Sequence, residues 1–177
     1  MPEEFSAPVE ESYRALIQKI DDAHMLLDLG RVRAAFELAA RAHADQKRKD
    51  GSPYVTHAVA AAEIIVEMGM DEDSIVAALL HDVIEDTDYT ADDLRALGIS
   101  EAAMEAILLL THDEAVPYLD YVRNLKDNPL ARKVKIADLH HNAQLSRLDE
   151  VRPRDLERLE KYKAACEILG DDSPLLP

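Results

Sequence analysis

Residues 77–88 read AALLHDVIEDTD, so an imidazole and three carboxylates (His81, Asp82, Glu85 and Asp86) follow directly on an apolar run. On a helix, residues four apart share a face. His81 would then lie over Glu85, and Asp82 over Asp86. The neighbours Ile75, Val76, Leu79, Leu80, Val83 and Ile84 are what such a helix buries. Ionised groups beside a core cost free energy unless something compensates them, and a divalent cation does so. Two more residues join the set: His57 opens a predicted helix, and Asp138 interrupts the apolar run KVKIADL. Together His57, His81, Asp82 and Asp138 form a mixed nitrogen and oxygen donor set that suits Mn, Fe or Zn better than Ca or Mg. Open coordination positions would take water or a substrate oxygen, as metal-assisted hydrolysis requires. Taken singly, each residue has a plainer reading, as a hydrogen-bonded core histidine or a helix-surface carboxylate.

The elements that would position these groups are all helical. Apolar residues at helical spacing predict a first helix over about 11–29 (Tyr13, Leu16, Ile17, Ile20, Met25, Leu26), ending near Gly30. A second covers about 31–46, with Ala34, Ala35, Leu38, Ala39 and Ala42 inward. KRKDGSPY (Lys47 to Tyr54) is a turn, since Asp50-Gly51 and Ser52-Pro53 are breakers. Thr56 is the expected N-cap of a helix over 57–68 that stops at Gly69. Asp71 or Asp73 would cap the helix carrying His81 and Asp82. Thr90 and Asp93 suggest a capping box opening a short helix closed by Gly98, and Ser100 caps a helix over about 101–110. A loop at 111–117 precedes a short helix near 118–126. Asn128-Pro129 starts a long helix through about Leu148, and Arg152-Pro153 starts a last one reaching about Leu169. The segments 1–10 and 170–177 are expected to be loose, around one all-α domain spanning 1–177 with its core in about 31–165.

Composition narrows the partners. The chain has 177 residues, 47% of them hydrophobic, with 5 Gly and no Trp, which fits one folded helical domain. A formal charge of −16 argues against a nucleic-acid polymer as partner, because polymers require a basic footprint. It also works against an anionic small molecule unless the pocket is locally positive. Phosphate chemistry would therefore need a metal and a few placed Arg and Lys side chains. The single cysteine, Cys166, excludes an internal disulfide and reads as a small apolar residue of the last helix. The N-terminus MPEEFSAPVEE is acidic and lacks the apolar run of a signal peptide. No stretch reaches the roughly 20 apolar residues that span a bilayer. The expected setting is the cytoplasm, with no membrane partner.

Three separated motifs carry a resemblance: HADQKRKDGSPYVTH (His43 to His57), AALLHDVIEDT (Ala77 to Thr87) and VKIADLHHN (Val134 to Asn142). In this order they resemble the hydrolase domain of RelA/SpoT-type alarmone enzymes, in particular the short, single-domain alarmone hydrolases of the HD phosphohydrolase superfamily. The likeness covers about 31–165. It implies an HD-domain helical bundle with His57, His81, Asp82 and Asp138 as metal ligands, Mn²⁺ as cofactor (Fe, Zn or Co as alternatives), and Glu85 and Asp86 as the catalytic pair. It also implies that Arg48 and Lys49 contact guanine and phosphates. Asn142 would sit near ribose or phosphate, and Arg158 and Tyr162 would face the nucleotide. The implied reaction is metal-dependent hydrolysis of the 3′-pyrophosphate of (p)ppGpp to GDP or GTP and pyrophosphate. A hydrolase for another phosphorylated nucleotide, or a non-catalytic nucleotide-binding protein, are the alternatives.

The chain also departs from that pattern. Ala58 stands where the family commonly has Pro, and Asp45 where a Gly is usual. Leu139-His140-His141-Asn142 replaces Arg-Leu-His-Asn. The stretch Leu110 to Ala131 differs from the usual Thr-Lys region that holds phosphates, leaving Arg123, Lys126, Lys133 and Lys135 as alternative sources of positive charge. His112-Asp113 lacks a following acidic pair and reads as a polar loop feature. His43 reads as structural rather than as a fifth ligand, His140 and His141 as hydrogen-bonding within the bundle, with lining the pocket as the alternative, and His24 as surface.

Overall fold

Side-chain caps and breakers divide the chain into helices. The computed structural model describes residues 5–144 and 151–175, and among these it has ten helices, one isolated bridge (Lys47 with Pro53) and no strand. They are α1 (Ala7–Asp22), α2 (Leu29–Ala42), α3 (Val55–Glu67), α4 (Glu72–Leu80), α5 (Val83–Asp86), α6 (Ala91–Ala96), α7 (Glu101–Leu110), α8 (Tyr118–Asn124), α9 (Pro129–Ala143) and α10 (Pro153–Leu169). Several expected caps are present. Asp71 accepts from the Ser74 amide at 3.0 Å, Asn128 from the Ala131 amide at 2.9 Å, and Ser100 from the Ala103 amide at 3.2 Å. Thr90 and Asp93 form a reciprocal capping box.

Other boundaries differ, each for a local reason. α1 begins at Ala7, inside the segment expected to be loose, because Val9 is buried and Pro8 suits a first helical turn. It ends at Asp22 rather than near 29. His24 turns the chain through a left-handed φ of 53°, and Leu26 stands fully exposed instead of facing inward. Gly30 opens α2 rather than closing α1, since the Asp28 carboxylate accepts its N–H at 2.9 Å. Thr56 does not cap α3; its hydroxyl donates back to the Pro53 carbonyl at 2.7 Å, and α3 starts at Val55. At the other end, Leu175 packs on the core and Asp171 bonds His140, so the expected loose tail is anchored as far as it is described. The expected continuation of α9 to Leu148 falls largely outside the described residues.

Packing decides which helix ends meet. α4 is apolar on every side, and Ile75 to Leu80 are all buried. A helix without a polar face must lie inside the bundle; each fully buried aliphatic side chain contributes about 1.5–3 kcal/mol. α4 packs against α2, α3, α7 and α9, while α3 also lies on α1 and α9. The small inner face of α3 (Ala58, Ala61, Ala62) lets these helices approach closely. α10 crosses α8 and α9. This arrangement brings the start of α3, the end of α4 and the middle of α9 to one place. Among the described residues no helix is long and apolar enough to cross a membrane.

Candidate functional site

His57 lies in the first turn of α3, His81 and Asp82 just past the end of α4, and Asp138 mid-way along α9. Their tips form a ring. His57 Nε2 is 3.1 Å from Asp138 Oδ1 and 3.7 Å from Asp82 Oδ2; His81 Nε2 is 3.2 Å from Asp82 Oδ2 and 3.7 Å from Asp138 Oδ1. Donors about 2.0–2.2 Å from one ion stand roughly 3.0–3.5 Å apart, so the spacing suits a first-row divalent cation. His81 tests this fit most directly. Its Nδ1 donates to the Ala78 carbonyl at 2.7 Å, so in the neutral imidazole the lone pair is on Nε2, and that buried atom has no hydrogen-bond partner among the described residues. An orphaned imidazole nitrogen is costly unless it meets a cation, and a backbone carbonyl on the far nitrogen is how metal-binding histidines are usually held.

The bond from His81 to Ala78 also marks where the continuous helix expected through 77–88 breaks. The chain turns at His81 and Asp82 and resumes as α5. The Asp86 amide still bonds the Asp82 carbonyl at 2.9 Å, so Asp82 and Asp86 keep the four-residue relation. One hydroxyl spans both: Tyr54 Oη donates to Asp82 Oδ2 at 2.7 Å and lies 3.3 Å from Asp86 Oδ2.

Electrostatics follow from this crowding. Burial alone would raise the Asp138 carboxyl, but Lys135 (Nζ to Oδ2, 2.9 Å) and the two imidazoles outweigh it and hold Asp138 well below its ordinary value. Burial lowers the His81 imidazole, yet Asp82 and Asp138 more than offset this and raise it. His57 stays low because burial prevails. Glu85 and Asp86 are raised, first by burial and then by the neighbouring carboxylates. Glu85 is exposed, and the His112 amide donates to its Oε2 at 2.8 Å. Among the described residues, His112 and Asp113 belong to no cluster able to hold a metal, and the His112 backbone holds Glu85.

Beside the ring opens a cavity of about 220 Å³ lined by Arg48, Lys49, Tyr54, Asn142, Asp155, Arg158 and Tyr162, among others. Arg48 and Lys49 are presented by a tight turn in which the Arg48 amide bonds the Ser52 carbonyl at 2.9 Å and Gly51 takes a φ of 84°, a conformation side chains resist. All five residues expected to contact the nucleotide therefore share one wall system. Tyr54 and Asn142 (Nδ2 to Asp138 Oδ1, 2.6 Å) link it to the ring. Asp155, nearly buried, binds Lys49 at 2.7 Å and lies 3.5 Å from Arg158.

Sequence reasoning passed over Tyr54 and Asp155; His141, expected to hydrogen-bond within the bundle, does so with its Nδ1 2.7 Å from His57 Nδ1, so its partner is one of the ring residues. The one available signal for Tyr54 was its place a single helical turn before His57. Of the alternative cations, Lys135 reaches the site, while Arg123 pairs with Asp120 on the exposed face of α8. Lys161, not foreseen, lies 4.4 Å over the Tyr118 ring, 5.7 Å from which Lys135 also sits. His43 packs on Tyr54 at 4.8 Å between ring centroids. His140 bonds Asp171 at 2.6 Å beside Cys166. That is a direct hydrogen bond, closer than two ligands of one ion stand. Burial pushes the Cys166 thiol up to about 12.

Residues 35–113, which contain His57, His81 and Asp82, match the HD domain family. The chain contains an HD-type domain. This HD domain is 36% identical over 139 residues to the guanosine-3′,5′-bis(diphosphate) 3′-pyrophosphohydrolase of Haemophilus influenzae, covering 70% of this chain and 20% of that protein. It is 33% identical to the bifunctional (p)ppGpp synthase/hydrolase SpoT of Escherichia coli K12, covering 79% and 22%. It is also 31% identical to a GTP pyrophosphokinase of Streptomyces coelicolor, covering 95% and 20%. The chain thus spans about a fifth of the length of the curated relatives it matches. A solved structure described as a metazoan ortholog of SpoT that hydrolyzes ppGpp superposes with a TM-score of 0.69 at 25% identity, covering 82% of this chain and 88% of that chain. The helical HD fold is shared along nearly its whole length.

Proposed function

We propose that this HD domain is a divalent-metal-dependent phosphohydrolase that removes the 3′-pyrophosphate of (p)ppGpp, with Mn²⁺ as its cofactor. The observation that carries the reading is the ring of His57, His81, Asp82 and Asp138, whose neighbouring donor atoms stand 3.1–3.7 Å apart and which Tyr54 and Asn142 join to the basic cavity. The relatives named as hydrolases support it. Those named as pyrophosphokinases are matched over a fifth of their length, and the ring lies within the matched part.

A divalent ion in the ring would lower the pKa of a bound water and offset charge on the phosphoryl oxygens. The protein's own part is positioning and proton transfer. Arg48, Arg158 and Tyr162 would hold the guanosine end, the two guanidinium groups offering planar surfaces and charge. Lys135 keeps Asp138 ionised for its ligand role. Glu85, fixed at one oxygen by the His112 amide, would use the other to take the proton of the attacking water; its raised pKa makes it a better base than an ordinary glutamate. The water oxygen bonds to the phosphorus carried on the 3′ oxygen, that P–O bond breaks, and the 3′ oxygen, taking up the proton that Glu85 accepted, leaves as the hydroxyl of GDP or GTP. Asp86, joined to Asp82 through Tyr54, would orient the water rather than exchange its proton.

The test is release of pyrophosphate from ppGpp by the purified protein with Mn²⁺, against a panel of other phosphorylated nucleotides. The reading predicts release of pyrophosphate, with GDP as co-product, and none in EDTA. Turnover of a different panel member alone would keep the metal chemistry and replace the substrate. Metal and nucleotide binding with no turnover of any would make it a binding protein.

A further inference from the structure

The two imidazoles of the ring are steadied in different ways. His81 is held by the Ala78 carbonyl, a group that does not change with ligand. His57 is held by another side chain, and that side chain also meets the nucleotide cavity. We infer that His141 is a positioning residue which, through its Nδ1, keeps His57 in the ligating tautomer and ties that ligand to Arg48. The inference rests on the metal reading proposed above and adds a residue to it.

His57 Nδ1 and His141 Nδ1 are 2.7 Å apart, and the rings are inclined by only 18° with centroids 4.9 Å apart. Two imidazoles meeting edge to edge in nearly one plane form an N–H···N hydrogen bond, in which one nitrogen carries the proton and the other a lone pair. His57 Nε2 faces Asp138 Oδ1 at 3.1 Å and must present its own lone pair to bind an ion. The proton of neutral His57 is then on Nδ1, and His141 is the acceptor. Arg48 gives an independent indication of the same assignment. Its Nη1 lies 3.4 Å from His141 Nδ1, and a guanidinium, which has only donors, faces a lone pair and not an N–H. The other arm of Arg48 bonds Asn142 Oδ1 at 3.3 Å, whose amide nitrogen donates to Asp138 at 2.6 Å. Consecutive residues of α9 thus connect one cavity arginine to a ligand on α3 and a ligand on α9. Binding at the cavity and at the ring is linked through these contacts, and linkage acts equally in both directions.

Replacing His141 by Asn keeps an acceptor oxygen near the Nδ1 position; Gln places its polar atoms near Nε2 and leaves Nδ1 vacant. Mn²⁺ affinity measured by calorimetry on the full chain should fall about 10- to 100-fold in His141→Gln and stay within about threefold of wild type in His141→Asn. KM for ppGpp should rise in His141→Gln beyond any change in kcat. Equal Mn²⁺ affinities in the two variants would overturn the inference while leaving the metal reading intact. A wild-type protein that takes up no Mn²⁺ would instead overturn the metal reading. If His141→Gln does not fold, ¹⁵N spectra of the wild-type histidines with Zn²⁺ bound decide: the inference requires a protonated Nδ1 on His57 and an unprotonated Nδ1 on His141, and the reverse would refute it.

Discussion

The donor ring and the adjoining cavity share Tyr54, Arg48 and Asn142, yet they are built by opposite means. In the ring, short side chains on three mutually packed helices are buried or half-buried, and the partners supplied by the fold (the Ala78 carbonyl, Lys135, His141 and the Tyr54 hydroxyl) hold each in one orientation. In the cavity, long cationic side chains sit on a turn and on the outermost helix. Lys49 and Arg158 share the single carboxylate of Asp155. Rigid helices fix donor atoms to within the few tenths of an ångström that a metal ion demands, whereas half-exposed Arg and Lys pairs exchange partners at little cost. On the proposed reading, chemistry is placed on the core and recognition on parts that a few substitutions can retune.

The sharpest way to break this contrast is to remove a ring charge. Asp138→Asn should abolish Mn²⁺ uptake and turnover together, and should also lower stability by about 3–5 kcal/mol, because Lys135 loses its buried partner. Metal analysis and denaturant unfolding of the same sample check both; a variant as stable as wild type would mean that Lys135 finds water. Glu85→Gln comes next, with kcat reduced roughly 10²- to 10⁴-fold and metal content unchanged. Full activity would take Glu85 out of the mechanism.

Much of this contrast was readable in advance, and what was missed follows a pattern. The helices were legible because Asp71, Thr90, Ser100 and Asn128 cap them locally, and the candidate ligands because His81, Asp82 and Asp138 interrupt apolar runs where an uncompensated charge is expensive. The misplaced ends of α1 and α3 depend on a left-handed His24 and on a Thr56 hydroxyl that turns backwards, both choices made by the surrounding packing. Tyr54, His141 and Asp155 were not assigned their roles because their partners lie 28, 84 and 106 residues away. No periodicity or spacing encodes such pairings. The break at His81 escaped notice because a side chain competing for the Ala78 carbonyl looks, in sequence, like one more helical residue.

On the cavity side the effects should be smaller and should appear in KM. Arg158→Ala should raise KM for ppGpp about tenfold, the worth of one charge-assisted contact of ~1.5 kcal/mol, with kcat within a few-fold of wild type. A fall in kcat with unchanged KM would move Arg158 into the chemistry. The smallest expected effect is a displaced limb in the pH profile. Burial and nearby carboxylates raise Glu85, so the proton it must shed as a base is held at higher pH than for a free glutamate near 4.3. Activity should accordingly be lost on acidification at a pH above that ordinary value, and the limb should vanish from the residual rate of Glu85→Gln. A limb unchanged in that variant would belong to another group.

The most direct measurement is anomalous diffraction at the manganese edge from crystals grown with Mn²⁺. The account predicts one ion within about 2.0–2.3 Å of His57 Nε2, His81 Nε2 and an oxygen of each of Asp82 and Asp138. Manganese absent from that position, or bound elsewhere while His81 Nε2 makes a hydrogen bond of its own, would contradict it.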